Sequence, residues 1–352
     1  MKKYITLLLI ITFLPAATFS KDKEPEQSLF AGAQLYFESD LMESSDSDYE
    51  TGVIGYLSVR PGENWEFLLQ ADAGSDAVRM DEIWGKYSFS DKKSLQFGIF
   101  ENGILMEDGN GTYSYFTEEC YIRERLDDMG WYSDNSAGGR YVREGKMLRG
   151  TGEFFFMSNS SEVLLRGDLN APLGSGRGGA TLIYHPYLFH NMWSDEKTFS
   201  LGLPEANGIY EIHYFLLDLY WGDLTEEKDW IYKAEGTIGN NLSDPIGYLG
   251  YPGGESCSGF LSGDLLLGRI MGREEFNWTP SVNVSAYMED LEEPNIGNII
   301  FRAGNRWRWD NRLTLFVDAG MEIKNYNQQE ESGETLMTGI DGILNARAQY
   351  SF

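Results

Sequence analysis

The chain has 352 residues, 55 acidic against 28 basic, a formal charge of −27 and 40 glycines. Its 21 Tyr, 20 Phe and 9 Trp are too many rings for a disordered acidic chain. A mean hydropathy of −0.37 excludes a helical membrane bundle, whose spans each need about 20 largely apolar residues, and the acidic balance argues against nucleic acid as a partner.

Lys2 and Lys3 precede an apolar block from Tyr4 to Leu14, and the small residues Ala16, Ala17 and Ser20 follow Pro15. A basic end, a short apolar core and small residues near an exit point describe a secretory leader. Residues 1–20 are therefore expected to be a signal peptide and 21–352 a single exported domain. Loss of Lys2 and Lys3 moves the formal charge from −27 to −29.

Beyond a polar lead, a two-residue alternation begins and recurs almost to the last residue. One parity reads Leu29, Ala31, Ala33, Leu35, Phe37, against Phe30, Gly32, Gln34, Tyr36, Glu38. Trp65, Phe67, Leu69, Ala71 and Ala73 repeat the pattern, as do Leu313, Leu315, Val317, Ala319, Met321 and Ile323. Successive strand side chains point to opposite faces, so these are two-faced strands. Similar segments cover 53–60, 82–89, 95–100, 152–157, 163–169, 180–185, 209–220, 230–238, 260–270, 282–288, 299–309 and 340–352, with weaker ones at 140–146, 198–203 and 247–251. No stretch shows a helical period, and no change of composition marks a second domain.

The connectors differ in kind. Residues 61–64, 90–93 and 310–311 are tight polar turns, whereas 40–50, 103–136, 221–228, 289–294 and 325–334 are longer and more acidic. Short turns on one rim and long loops on the other suit a closed antiparallel transmembrane β-barrel. The length allows about 16 strands, with 14–18 possible, at about 21 residues per strand and connector. A soluble sandwich would instead turn its apolar parity toward a second sheet. Rings at strand ends, such as Trp65, Tyr87 and Phe89, Trp230 and Tyr232, Trp307 and Trp309, favour the barrel, because such belts mark membrane interfaces.

The last segment, Ala346-Arg347-Ala348-Gln349-Tyr350-Ser351-Phe352, resembles the C-terminal assembly signal of bacterial outer-membrane β-barrel proteins. The resemblance implies a cell outer-membrane location in lipid and insertion by the barrel-assembly machinery, with Tyr350 and Phe352 as the signal. A porin-like channel that passes small hydrophilic solutes or ions by diffusion, without cofactor or enzymatic activity, is the matching function. A homotrimer is a further possibility that the resemblance opens.

With the apolar parity outside, both signs of charge line the lumen, among them Arg166, Asp168, Lys233, Glu235, Asp264, Asp318 and Glu322. Dry charges of this kind need partners, so either water or ion pairs fill the interior. The 34-residue connector 103–136, placed as a third outer loop, is far longer than a hairpin needs. General porins fold such a loop inward and narrow the pore with carboxylates; here Glu118, Glu119, Glu124, Asp127 and Asp128 hold the corresponding place. A surface lid is the alternative. Arg302, Arg306, Arg308, Arg312 and Arg347 form a basic set on the last three strands. They either face those acids across an eyelet or pair with Asp318, Glu322 and Asp341. An acidic constriction favours weak cation preference.

Cys120 and Cys257 both fall in outer connectors, where a disulfide and two free thiols remain open alternatives. His185, His190 and His213 show no metal-ligand spacing and no nucleophile partner. The rival readings are an adhesin or structural barrel that binds through its loops, and a sugar-selective channel using Tyr36, Tyr56 and Trp84 as stacking surfaces.

Overall fold

The computed structural model describes residues 28–40, 49–74, 78–100, 103–106, 116, 121–128, 131, 136–156, 163–189, 210–240, 259–273, 275–288, 291, 297–310, 312–330 and 333–351. The leader, Cys120, Cys257, Glu118, Glu119, Phe352 and the weak segments 198–203 and 247–251 lie outside this set.

In chain order the strands are β1 (Ser28–Asp40), β2 (Tyr49–Arg60), β3 (Trp65–Ala73), β4 (Val78–Ser90), β5 (Lys93–Phe100), β6 (Ser136–Glu144), β7 (Arg149–Phe156) and β8 (Val163–Leu173). There follow β9 (Gly176–Phe189), β10 (Tyr210–Asp223), β11 (Trp230–Asn240), β12 (Gly259–Arg269), β13 (Phe276–Met288), β14 (Gly297–Trp309), β15 (Leu313–Glu330) and β16 (Gly333–Ser351). A short piece, Met271–Arg273, pairs with β13 in the register set by Gly268↔Ser281 and Met271↔Trp278, so it continues β12. Each strand pairs antiparallel with the next. The ring closes where β1 meets β16, with Gln34 opposite Ser351 and Asp40 opposite Asn345. The result is the expected barrel of 16 strands.

Closure is what lets strands cross hydrocarbon, since an open edge would leave backbone groups unsatisfied there. Among the described residues no helix is long and apolar enough to cross a membrane. Burial on the wall is inverted relative to a soluble sandwich. Along β13 the inward Asn277, Thr279, Ser281, Asn283 and Ser285 are buried, while the outward Phe276, Trp278 and Val282 are exposed. On β12 the inward Ser262 and Asp264 are covered, and Leu265 on the outside is 59% exposed. Lipid contact is the physical reason for such a surface.

Rings gather at the rim of short turns. Trp65 lies 4.9 Å from Tyr87, Trp221 lies 4.8 Å from Tyr232, and Phe276 lies 5.2 Å from Trp309. Near the other rim, outward Tyr184 stacks on Phe215 at 5.0 Å. From Phe276 to Met288 the apolar outer face runs ~40 Å along the strand, or about 30 Å when tilted by roughly 40°. That matches a hydrocarbon layer. Tyr350 sits in the turn-side belt, exposed outward and paired with both Leu35 and Leu313.

Three local expectations are corrected. Residues 121–128 form a helix, α1 (Tyr121–Asp128), whose two buried side chains, Ile122 and Leu126, are too few to register as a period. The stretch 221–228 is not an outer loop, because alternation of strand direction puts the β10–β11 connector on the short-turn rim. Residues 325–334 are mostly strand: β15 and β16 stay paired out to Glu330↔Gly333, and backbone pairing above the membrane needs no apolar side chains. The turn between β8 and β9 needs only Gly174 and Ser175, and Gly174 takes φ +63°, a conformation open to glycine without steric cost.

The outward face yields a test. Val282→Arg, at the middle of the belt, should destabilise the barrel by about 2–4 kcal/mol in a urea titration in lipid vesicles. An exposed site on a soluble protein would shift by less than about 0.5 kcal/mol.

Candidate functional site

The long connector after β5 turns into the barrel. Its stem places Ile104 and Leu105 in a buried cluster with Phe100, and the Met106 amide donates to Glu235 Oε1 on β11 at 2.6 Å. Further along, Ile122 and Leu126 on one face of α1 join the same cluster, and α1 packs on β12 and β13. Trp131 is fully buried, its indole N–H donating to the Asn240 carbonyl at 3.1 Å. Phe116 reaches deeper, into a second cluster with Leu224, Ile231 and Leu266.

The wall is prepared for this docking. Phe155, Leu164, Ile183, Tyr214, Leu216, Phe260, Tyr287 and Ile300 point inward and are buried against the connector's apolar residues. With the apolar parity expected outside and charges lining the lumen, this inward apolar shelf is a correction. Its signal is present in the chain: Phe154-Phe155-Phe156, Val163-Leu164-Leu165, Leu216-Leu217 and Ile299-Ile300-Phe301 are apolar on both parities. A strand buried on both faces reads as a continuous apolar run. Gly304 completes the fit, because a Cβ there would come within 2.8 Å of the Phe116 ring.

Beneath the docked connector the inner wall carries a dry polar network. Lys233 bridges Asp264 at 2.7 Å and Glu235 at 3.1 Å, with all three side chains buried. Asp264 also accepts from Asn283 at 2.8 Å and Ser285 at 2.5 Å, while Asp218 accepts from Thr237 at 2.8 Å. Lys233 and Asp264 each have several partners, which is the condition for a buried charge to be tolerated.

Lumenal charges on the other side of the ring are wetter. Lys86 on β4 is 36% exposed, Lys324 on β15 is 37% and Asp341 on β16 is 61%. Lys324 lies 3.0 Å from both Glu322 and Asp341, and Arg60 lies 2.7 Å from Glu66. The connector therefore fills the β5–β14 side; water reaches the wall of β2–β4 and the outer parts of β15 and β16, whose inward residues nearer the short-turn rim, Phe316, Asp318, Asn345 and Arg347, are buried.

Of the acids expected at a constriction, Glu124, Asp127 and Asp128 belong to α1; their side chains, like Glu118 and Glu119, are outside the described set. Arg302, Arg306 and Arg347 are inward and buried on β14 and β16. Arg306 lies 2.8 Å from Glu226, and Arg308 also pairs with Glu226. Glu226 comes from the β10–β11 turn, which bends inward under the barrel, anchored by buried Leu224. Sequence reasoning missed this acid because it placed the turn on the wrong rim. In the same turn Asp223 holds Lys228 at 2.5 Å, and that hydrogen bond raises the ammonium's pKa above the ordinary lysine value. Arg312 is exposed in the turn before β15, outside the lumenal set. Tyr56 faces the wet side, whereas Trp84 is half-buried against the connector's cluster and donates to Glu82 at 3.0 Å.

No protein-family model and no curated protein matches the chain. Solved structures do match in fold. OmpT of Vibrio cholerae, an outer membrane protein in its trimer form, superposes with a TM-score of 0.61 at 10% identity, over 93% of this chain and 100% of that one. OmpF of Salmonella typhi, in complex with daunomycin, gives 0.58 at 12% identity over 93% and 97%. An anion-selective porin from Comamonas acidovorans gives 0.54 at 9% identity over 93% and 100%. The chain has the fold of bacterial outer-membrane β-barrel proteins.

The dry network and the wet wall separate by mutation. Lys233→Met leaves Asp264 and Glu235 without their cation and should cost about 3–5 kcal/mol of stability. Lys324→Met, at a wet pair, should cost no more than about 1 kcal/mol in the same vesicle titration.

Proposed function

We propose that this protein is an outer-membrane, porin-like channel that passes small hydrophilic solutes and ions by diffusion and carries no enzymatic activity. The observation that carries this reading is the one-sided filling of the lumen. A connector that docks on one side of the inner wall narrows the barrel and leaves the wall of β2–β4 and the outer parts of β15 and β16 wet. Barrels of about 16 strands are wide enough for an aqueous passage even so. In this reading lipid surrounds the barrel, the assembly machinery reads its last strand, and it assembles as a homotrimer, for which the trimer form of OmpT is a precedent.

The channel prefers cations weakly. Described charges on the wet wall nearly balance: Glu66, Asp72, Glu82, Glu322 and Asp341 stand against Arg60, Arg79, Lys86 and Lys324. In this reading the sign is set by the connector's acids, Glu118, Glu119, Glu124, Asp127 and Asp128; the support is that Phe116, Ile122 and Leu126 of the same connector are buried inside the barrel. A fold shared with an anion-selective porin does not decide selectivity; the lining charges do.

Removal of residues 118–128 tests this directly. In planar bilayers the shortened protein should show a larger single-channel conductance and a reversal potential closer to zero in a salt gradient. Unchanged conductance would reject the constricting connector, and a folded barrel with no steady conductance would favour a binding scaffold.

A further inference from the structure

The wall left over from the docking shelf and the network holds one more built site. Between β6 and β10, roofed by Gly103, Leu105 and Met106 of the connector stem, lies a cavity of about 240 Å³. Four guanidiniums line it, Arg140, Arg149, Arg166 and Arg177, against two carboxylates, Glu153 and Asp168, an excess of two positive charges. Such an excess is out of keeping with a chain of formal charge −27.

The carboxylates are already committed. Glu153 is shared between Arg140 and Arg166, the latter at 3.1 Å. Asp168 accepts from Asn170 at 2.8 Å, Tyr220 at 2.8 Å and Thr181 at 3.3 Å, three neutral donors. Toward the short-turn rim, Arg177 donates to the neutral Asn170 amide oxygen at 2.7 Å. Arg149 has Glu144 at the rim, 3.7 Å away and beyond hydrogen-bond length. Including Glu144 still leaves one unbalanced positive charge. The guanidinium forks of Arg149 and Arg177 thus point into a space whose acids serve other partners.

We infer that this cavity is a binding site for a small oxyanion-bearing, hydroxylated solute, entered from the short-turn side of the barrel. Paired guanidiniums suit a carboxylate or phosphate group, which each can hold by two parallel hydrogen bonds. Asn170 and Thr151 offer polar groups for the hydroxyls. The volume lies below the ~300–1,000 Å³ of drug-sized ligand sites, so the occupant is of the size of a single sugar acid or smaller. The inference goes beyond the channel reading, because the site lies on the connector-filled side of the barrel and binding there requires no conduction.

Isothermal titration of the refolded full-length mature protein in detergent, at low ionic strength, tests it with gluconate, inorganic phosphate and glucose. Gluconate or phosphate should bind, and glucose should not; the two anions identify which oxyanion is preferred. Arg149→Gln/Arg177→Gln, with both changes near the rim, should weaken anion binding at least fivefold while the barrel keeps its heat-modifiable migration on gels. Added salt should weaken it as well. No anion heat, or equal affinity in the folded double variant, overturns the site. Conduction without anion binding would leave the channel standing and remove this site; binding without conduction would do the reverse.

Discussion

The pairing of the first strand with the last is the contact on which everything else rests. Gln34 to Asp40 lie opposite Ser351 to Asn345, and that ladder removes the two edges a sheet would otherwise expose. In hydrocarbon an unpaired backbone group costs several kcal/mol, so a sheet of this length is tenable there only as a ring. Once the ring exists, alternation has one consistent meaning. Leu265, Val282 and Phe301 look outward, while Asp264, Asn283 and Arg302 look inward.

The interior then becomes a second folding problem, solved on a different principle. A barrel of this width cannot be filled by its own side chains. The β5–β6 connector supplies the missing half, with Ile104, Leu105, Phe116, Ile122, Leu126 and Trp131 buried inside the ring. These residues meet an inward apolar shelf, so the hydrophobic effect holds a loop against a wall that is elsewhere polar. Burial of six such side chains is worth about 1.5–3 kcal/mol each before ordering costs. The inward-bent β10–β11 turn works from the opposite rim, with Leu224 in the cluster of Phe116 and Glu226 on Arg306 and Arg308. Connectors from both rims therefore divide the lumen, and the water-lined side is what they leave free.

Much of the outer architecture was legible in the chain because alternation is a local property. Leu313 to Ile323 alone identify a two-faced strand, and the rings at Trp65, Tyr87 and Trp309 mark where strands end. The interior was less legible, since its contacts join residues far apart in sequence. Met106 and Glu235 are separated by 129 positions, and no local pattern announces their hydrogen bond. Glu226 was hidden by the composition of its turn, which is as acidic as an outer loop. The arginine cavity escaped because Arg140, Arg149, Arg166 and Arg177 sit one per strand across four strands. Only the runs apolar on both parities, such as Ile299-Ile300-Phe301, held a readable trace of the docked connector.

The central claim is that the apolar parity touches acyl chains and the polar parity does not. Spin labels placed singly at Leu265 and Val282, and at the inward Lys86 and Lys324, read this directly in lipid vesicles, with Cys120 and Cys257 replaced by serine. Labels at the first two positions should relax strongly with dissolved oxygen and weakly with a water-soluble nickel chelate. The inward pair should show the opposite balance. Equal access of the nickel chelate to all four positions would contradict the account.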